Sequence, residues 1–300
     1  MLRLSRGRDR KKHPKGQSMS SAMNRRRFLG TGAAAMAGFA MTRSLAPAKP
    51  PAGARPMNIL FLGADDLRVE LGCYGATHMR TPHIDALAAR GVVFSRAYVQ
   101  QAVCAASRAS FLTGCRPDTT NVDYPYNPGF LKDFLPAHPA LHTIFHQAGY
   151  YTRCFGKIHH SHAADLDNLS EPDYVGEKGT GNYALPSSVG KAKKAKNQFG
   201  SGPATEMADV DDTAYKDGQI AREVVATLER AAKQDKPFFL SVGFYKPHLP
   251  FCAPQKYWDL YKREDIHLSP NPEVPKGAPA YAPATYELPT YPEKWGTKEH

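Results

Sequence analysis

The feature that most constrains the fold is a continuous apolar run, from Asn58 to Gly63, that ends abruptly in Ala64-Asp65-Asp66. An apolar run without alternation is typical of a strand that is buried on both faces in a parallel sheet. Residues 150–155 and 236–244 are also predicted to form strands, and charged or titratable residues follow both of them. Functional sites of open α/β sheets lie at the carboxyl ends of the strands. The sequence therefore predicts an α/β fold with a mostly parallel sheet, flanked by helices, and a site where these strands end.

Asp65 and Asp66 are the first candidate site residues. Two adjacent acids at a strand end repel each other unless a cation lies between them. Their oxygens suit a hard cation such as Ca²⁺, which takes roughly 6–8 oxygen ligands. The alternative is that one of the two caps the next helix, which is much commoner for such a pair. The pair alone leaves both interpretations open.

Cys104 is the second candidate, in the stretch Val103-Cys104-Ala105-Ala106-Ser107-Arg108-Ala109-Ser110-Phe111-Leu112-Thr113-Gly114. Small residues, an arginine four positions on and an apolar turn predict a helix that begins just after Cys104. The sulfur would then lie near the positive end of the helix dipole, where an anion is favoured. The alternatives are a buried structural cysteine and, for Arg108, an ordinary ion pair.

Basic side chains follow the two other predicted strands, at residues 150–155 and 236–244. Lys157, His159 and His160 come after residues 150–155, and Lys246 and His248 come after residues 236–244. Prolines flank the second pair and favour an extended, rigid loop that directs both side chains into a cleft. The alternatives are a solvated lysine at a strand end and a structural loop histidine.

The connecting segments carry weaker patterns. A helix is predicted to open at Pro82 with Ile84, Leu87 and Ala88 on its buried face, and residues 92–99 are predicted to form a strand that leads to Cys104. A further helix is expected to end at Gly149.

Residues 161–216, with the lysine-rich run 191–196, are predicted to be a solvated loop and a candidate substrate-side insertion. Asp217 is predicted to cap a packing helix with Ile220, Val224, Leu228 and Ala231 on one face. Irregular chain is expected from Ser269 onward.

The net charge of +11 resides in the first part of the chain. Residues 1–56 hold 13 of the 39 Lys and Arg residues but only one of the 28 acids, so residues 57–300 are nearly neutral and are not expected to bind nucleic acid. Asn24-Arg25-Arg26-Arg27-Phe28-Leu29 is similar to a twin-arginine export motif. It precedes an apolar run, from Gly30 to Met41, that is too short for a stable membrane span, and a small-x-small cleavage pattern at residues 46–48.

We therefore predict an export leader at residues 1–48, with Met23 as the better start, a linker at 49–56 and a catalytic domain from residue 57. A disordered basic arm is the alternative for residues 1–22. The twin-arginine translocase would be a partner, and the protein is expected in the periplasm or outside the cell. Five cysteines do not form a spaced disulfide framework, and their pairing stays open.

Cys-x-Ala-Ser-Arg followed by Leu-Thr-Gly resembles the signature of the sulfatase family, with Ala106 where proline is common. Similarity to the family's N-terminal region is nearly collinear from Met57 to Thr120. The Gly-Lys-x-His or Gly-Lys-x-x-His element at Lys157 and the Lys-Pro-His-x-Pro-Phe element at His248 also resemble this family, and most closely its iduronate-2-sulfatase branch. That branch uses the longer spacing, which favours His160 over His159.

The resemblance implies an alkaline-phosphatase-like fold and a formylglycine made from Cys104 by a formylglycine-generating enzyme before export. One Ca²⁺ would be held by Asp65, Asp66 and residue 104, and Arg108, Lys157 and His160 would hold the sulfate and the formylglycine. In the implied mechanism a hydroxyl of the hydrated aldehyde attacks sulfur and His248 protonates the leaving alcohol. Lys246 is a weaker candidate for sulfate contact, and a sulfated carbohydrate is the expected substrate.

The family's later Asp-His-Gly motif does not occur in the 300 residues. We therefore expect residues 57–300 to be the N-terminal part of the catalytic domain, with weak metal binding and little turnover by this segment alone. Two alternatives remain: a phosphonate or phosphodiester hydrolase of the same superfamily, and an inactive truncated sulfatase-like protein that binds glycans.

Overall fold

A computed structural model describes residues 56–122, 133–160, 165–177, 181–194, 202–267, 271, 273–279 and 291. The predicted leader, nearly all of the linker and most of the chain after residue 267 lie outside these residues. The strands are β1 (Ile59–Ala64), β2 (Tyr151–Gly156), β3 (Thr205–Ala208), β4 (Phe238–Phe244) and β5 (Phe251–Pro254). The helices are α1 (Pro82–Ala88), α2 (Cys104–Thr113), α3 (Pro117–Thr120), α4 (Leu141–Gln147), α5 (Pro186–Lys194), α6 (Lys216–Ala231) and α7 (Gln255–Trp258). Short 3₁₀ turns lie at Gly72–Tyr74, Leu166–Asn168, Asp212–Ala214 and Arg263–Asp265.

Strands β1, β2 and β4 form one parallel sheet. Its order is β1-β4-β2, and both pairings are parallel. Gly63 of β1 and Gly156 of β2 lie opposite the same residue of β4, Gly243, so the three strands end at the same edge. The predicted α/β fold with parallel strands flanked by helices is confirmed, and residues 65, 157 and 246 are brought to one edge.

Helices cover the sheet on both faces. Alternation along β2 places Cys154 in the apolar cluster with α2 and Phe155 in the cluster with α6. The predicted apolar face of α6 packs across β2 and β4. The first cluster contains Ala105, Ala109, Leu112, Val122, Leu135, Ala140, Cys154 and Ile158. The second contains Tyr151, Phe155, Ile220, Val224, Ala231, Phe238, Leu240 and Val242.

The prediction that β1 is buried on both faces is wrong. Leu60 and Leu62 are 40% and 53% exposed, although they lie beside Leu240 and Val242, which are fully buried. The difference arises because α6 packs on β2 and β4, whereas β1 is the edge strand beyond that helix. Burial therefore depends on the neighbouring helix and not on the run of apolar residues.

Two predictions between β1 and α2 are also wrong. Residues 92–99 form no strand, and Val92, Phe94 and Tyr98 are exposed. Helix α1 begins at Pro82 as predicted, but Ile84 and Leu87 on its predicted buried face are exposed. Apolar periodicity predicted the helix, but no described element packs over that face closely enough to bury it.

The segment predicted to be a solvated loop contributes one strand, β3, to a second small sheet. Strands β3 and β5 pair in parallel, and helix α5 precedes β3. Glu206 of β3 is buried, and its carboxylate accepts hydrogen bonds from the amides of Ala184 and Leu185 and from the Tyr215 hydroxyl. A four-residue strand held by a buried carboxylate carries too short a pattern for prediction from the sequence.

Two further observations concern membrane spans and the cysteines. Within the described ranges no helix has the length and apolar character needed to cross a membrane. All five cysteines are free thiols, so the structure pairs none of them.

Candidate active site

Helix α2 begins at Cys104 itself, one residue earlier than predicted. Val103 before it is extended, and no side-chain cap precedes the helix. Ala105, Ala106 and Ala109 are all buried, and their small side chains allow α2 to pack closely against its neighbours. The Cys104 side chain therefore lies in the first turn, at the end of the helix where backbone N–H groups point outward.

Arg108 lies one turn further along α2 and is buried. Its Nη2 donates to Asp65 Oδ1 at 2.8 Å, and its Nη1 donates to the carbonyl of Lys157 and, at 3.3 Å, to that of Ile158. Only 7% of the Arg108 side chain and 5% of that of Asp65 are exposed. One guanidinium thus joins α2 to the ends of β1 and β2.

Asp65 stands between two cations. Its Oδ1 accepts from Arg108, its Oδ2 accepts from the Lys157 ammonium, and its own amide donates to the Phe244 carbonyl at 3.1 Å. Burial alone would raise the pKa of this carboxyl, but the hydrogen bonds and charges of Arg108 and Lys157 outweigh it and lower the pKa. Asp65 is therefore an anion in the folded protein at neutral pH.

Glycines allow the strand ends to approach closely enough to position Lys157. Gly156 has a φ of +66°, and the Lys157 amide donates to the Gly243 carbonyl at 2.7 Å. A Cβ on Gly243 would lie 1.9 Å from the Lys157 carbonyl oxygen. Gly243 could not be identified from the sequence, because its role depends on the pairing of β4 with β2.

The structure places His160, and not His159, next to Cys104. His160 Nδ1 lies 3.2 Å from Cys104 Sγ, whereas the His159 ring packs edge-on against His142 with ring centroids 5.2 Å apart. Sequence spacing alone left both histidines as candidates.

The Cys104 and His160 pair is neutral in this environment. Burial raises the pKa of the Cys104 thiol, and Asp65 raises it further, against the opposing effect of Lys157. Burial and the Lys157 charge lower the pKa of His160. Because a thiolate rather than a thiol is nucleophilic, Cys104 in its unmodified form is a poor nucleophile at neutral pH.

His248 reaches the site from the loop after β4. Its Nδ1 lies 2.7 Å from the Leu249 carbonyl, which can only accept, so Nδ1 carries the hydrogen of that bond. Its Nε2 lies 3.9 Å from Asp66 Oδ2. Asp66 adopts a φ of +58° and its side chain is 55% exposed. The second nitrogen of His248 therefore faces the site.

Lys246 shares this loop but its ammonium is engaged elsewhere. Nζ donates to the carbonyls of His248, at 2.9 Å, and Pro250, at 2.5 Å. Burial lowers the pKa of Lys246. The predicted sulfate contact would require Lys246 to exchange these two carbonyls for the substrate.

A cavity of about 360 Å³ opens at the ends of β2 and β4. Lys157, His160 and His248 line it together with Asn182 and Lys216. Lys216 holds its ammonium over the Tyr245 ring, 5.3 Å from the centroid. Four of the predicted site residues, Lys157, His160, Lys246 and His248, therefore line one volume that is large enough for a small ligand.

The residues predicted to hold calcium fit it in donor type but not in number. Asp65 and Asp66 supply hard carboxylate oxygens. Over the described ranges, however, His, Cys, Asp and Glu form no group of three or more that could hold a metal ion. Both oxygens of Asp65 also accept from Arg108 and Lys157, so further ligands would be needed to complete a calcium shell.

Helix α6 contributes more to this region than the predicted packing role. It begins at Lys216, and Asp217 lies inside its first turn, so the prediction that Asp217 caps the helix is wrong. Its carboxylate instead accepts from the backbone of the loop that carries His248. The capping pattern correctly located the start of the helix, but the partner of the carboxylate lies 28 and 29 residues further along the chain.

Comparison with known proteins relates this arrangement to a family. A family model described as Sulfatase matches residues 57–287. Iduronate 2-sulfatase from Mus musculus is 39% identical over 237 residues, which cover 75% of this chain and 41% of that protein. A sulfatase from Formosa agariphila is 33% identical over 230 residues, covering 71% of this chain and 43% of that protein. The chain thus spans about two fifths of the length of these relatives.

The fold is also found in a solved structure. The phosphonate monoester hydrolase SpPMH from Silicibacter pomeroyi superimposes with a TM-score of 0.52 at 22% identity, over 71% of this chain and 46% of that one. This similarity shows a shared fold. The family match covers the whole sheet and the loop after β4, and on that match the chain belongs to the sulfatase family.

Proposed function

We propose that this protein hydrolyses sulfate esters at the edge where β1, β2 and β4 end. The observation that carries the proposal is the set of basic side chains at this edge of the sheet. Arg108 and Lys157 both pair with Asp65, His160 Nδ1 lies 3.2 Å from Cys104 Sγ, and His248 lines the same cavity as Lys157 and His160. Two fixed cations and two histidines at one edge suit an anionic ester whose oxygens gain charge as the bond breaks. The family match supports the same reaction class.

Residue 104 would act in an oxidised form. Burial keeps the Cys104 thiol protonated, so an unmodified cysteine does not provide an effective nucleophile. We propose that a formylglycine-generating enzyme converts Cys104 to formylglycine, which supplies a hydrated aldehyde oxygen as the nucleophile. His160 Nδ1, 3.2 Å from the sulfur position, would orient that oxygen by a hydrogen bond.

Arg108 and Lys157 would hold the sulfate group. Both cations are fixed by Asp65, and Arg108 is also fixed by the carbonyls of Lys157 and Ile158. A cation that is already oriented needs no reorganisation when charge develops on the ester oxygens, which lowers the barrier.

His248 would protonate the leaving group. Its Nδ1 hydrogen is directed to the Leu249 carbonyl, so His248 can act as an acid only as the imidazolium cation, in which Nε2 holds the second proton, towards the cavity. The Asp66 carboxylate, 3.9 Å from Nε2, favours that cation. When the bond between sulfur and the ester oxygen breaks, the bonding electrons stay on that oxygen, which takes the proton from Nε2.

Asp65 and Asp66 are proposed as part of a calcium site, with the residue-104 oxygen as a third ligand. A bound calcium ion would add positive charge at the sulfate and at residue 104. The remaining ligands of its shell would come from outside the described residues or from water.

The family and the leader support proposals for the substrate and the cellular location. We propose a sulfated carbohydrate as substrate, since relatives of this chain carry names such as iduronate 2-sulfatase and ulvan-active sulfatase. The twin-arginine motif at residues 24–29 supports export of the folded protein by the twin-arginine translocase to the periplasm or beyond.

Turnover of matched esters tests the proposal. The full-length protein, produced together with a formylglycine-generating enzyme, should hydrolyse sulfate monoesters faster than phosphonate monoesters or phosphate diesters. The Cys104→Ala variant should lose activity to the background level. Faster turnover of phosphonates or diesters would favour that other reaction class. Binding of sulfated glycans without turnover of any ester would contradict an enzymatic role.

A further inference from the structure

We infer that Asp217 is a positioning residue for His248, and this inference rests on the proposed function. The carboxylate of Asp217 leaves its own helix and accepts the amides of two consecutive loop residues. Oδ1 accepts from Tyr245 at 2.9 Å and Oδ2 accepts from Lys246 at 2.8 Å. Because each oxygen holds a different amide, the carboxylate fixes both the position and the rotation of that peptide.

A second contact extends this hold to His248. The Lys246 amide is bound by Asp217, and the Lys246 ammonium donates to the His248 carbonyl at 2.9 Å and to the Pro250 carbonyl. The His248 amide in turn donates to the Tyr245 carbonyl at 3.1 Å. The loop is therefore held by Asp217 where it leaves β4 and is closed on itself around His248.

The location of Asp217 supports a role beyond starting a helix. Gly218 follows it, and a Cβ at that position would lie 2.0 Å from the Asp212 carbonyl oxygen, so the first turn of α6 packs closely on the preceding 3₁₀ turn. Burial raises the pKa of Asp217, and the amides of Tyr245 and Lys246 oppose this effect. Exposed acids serve as helix caps without such a desolvation cost, whereas a buried carboxylate can fix a loop that has to be rigid.

The consequence for the reaction concerns the leaving group. A His248 that is displaced would still leave Arg108 and Lys157 in place to hold the sulfate, because these two are fixed by Asp65 and α2. Only proton transfer to the ester oxygen would suffer. Esters that leave as a stable anion, such as 4-nitrophenyl sulfate, need little protonation, whereas phenyl sulfate and alkyl sulfates need it strongly.

The test is the ratio of kcat/KM for 4-nitrophenyl sulfate to that for phenyl sulfate, in the full-length protein. Asp217→Asn keeps the size of the side chain but replaces one of its two oxygens by an NH₂ group. That group cannot accept a hydrogen bond, so one of the Tyr245 and Lys246 amides loses its acceptor. We expect kcat/KM for phenyl sulfate to fall by about tenfold to a hundredfold and that for 4-nitrophenyl sulfate by less than about threefold. In a His248→Ala background the same substitution should no longer change the ratio.

A matched control and a readout without turnover complete the test. Asp211 is exposed and accepts the Thr213 amide at 2.9 Å in the turn before α6, so Asp211→Asn should leave the ratio unchanged. Hydrogen exchange of the Tyr245 and Lys246 amides should accelerate in Asp217→Asn and not in Asp211→Asn. If Asp217→Asn does not fold, Lys246→Met removes the ammonium that holds the His248 carbonyl and should raise the ratio in the same way.

The outcomes separate the two proposals. Equal losses on both esters, with the two amides still protected, would overturn the positioning role while leaving the sulfatase proposal intact. A wild-type protein that turns over neither ester would overturn the proposed function, and the exchange measurement would then decide whether Asp217 holds the loop.

Discussion

A single methyl group at Gly243 is expected to disturb the fold and the site together. The Cβ of an alanine there would lie 1.9 Å from the Lys157 carbonyl oxygen and 2.4 Å from its carbon, and both are backbone atoms that cannot rotate away. The same carbonyl accepts a hydrogen bond from Arg108. The end of β2 must therefore separate from β4, and the Arg108 contact must lengthen or break.

The size of the effect follows from these contacts. Overpacking in a closely packed interior costs about 1–3 kcal/mol, and a hydrogen bond from a charged donor contributes about 1.5–3 kcal/mol. Because the two losses overlap, we expect Gly243→Ala to lower the free energy of unfolding by about 2–4 kcal/mol. Gly63 lies opposite Gly243 on β1, and a Cβ there would meet its nearest atoms at 3.6 and 3.7 Å, which is ordinary contact. Gly63→Ala should therefore change stability by less than about 1 kcal/mol.

Urea denaturation of both variants checks this prediction. Gly243→Ala should lower the midpoint with an unchanged slope, which indicates a loss of stability rather than a different unfolded state. Equal midpoints for Gly243→Ala and Gly63→Ala would refute the argument that close approach of the strand ends requires glycine. In the active full-length protein, displacement of Lys157 by about 1 Å should also lower kcat by about a hundredfold.

Three further predictions concern the buried Arg108, two buried thiols and the exposed Asp66. Arg108→Lys should lower the free energy of unfolding, measured in urea, by about 3–5 kcal/mol, because one ammonium cannot satisfy the buried carboxylate and both carbonyls. The control is Arg116→Lys on the exposed surface, which should change stability by less than about 0.5 kcal/mol. Burial raises the pKa of both Cys154 and Cys252 to about 12. In the native protein both thiols should therefore resist alkylation at pH 8. The thiols of the unfolded chain ionise at lower pH than those of the folded protein. The free energy of unfolding should therefore fall by up to about 1.4 kcal/mol per group and pH unit as pH rises from about 9 towards 12. Reaction of both thiols at pH 8 at the rate of the unfolded chain would contradict this. Asp66→Asn should weaken calcium binding in calorimetric titration, with little change in the stability of the calcium-free protein, because asparagine also tolerates the positive φ; unchanged affinity would remove Asp66 from the proposed ligands.

The sheet and the start of α2 could be predicted because their signals are local. A continuous apolar run indicated β1, local strand patterns indicated β2 and β4, and small residues followed by Arg108 indicated a helix at Cys104. The arrangement of side chains at the strand ends could be expected from parallel pairing alone. The predicted membership of the chain in the sulfatase family is also confirmed by the family match.

The rest depends on contacts between distant segments. Leu60 is apolar but exposed, because its burial depends on how far α6 extends across the sheet. Asp65 accepts from Arg108 and Lys157, which lie 43 and 92 residues away, and this pairing leaves no sequence pattern. Asp217 looks like a helix cap until the loop after β4 is placed beside it. Strand β3 is four residues long and pairs with a strand more than 40 residues later.

The most direct test of the central claim is the mass of the peptide that contains residue 104, in protein isolated from its own organism. We predict formylglycine at this position, because burial makes the unmodified thiol a poor nucleophile and His160 lies 3.2 Å from its sulfur. An unmodified cysteine in all of this peptide, in a preparation that hydrolyses sulfate esters, would refute the proposed mechanism.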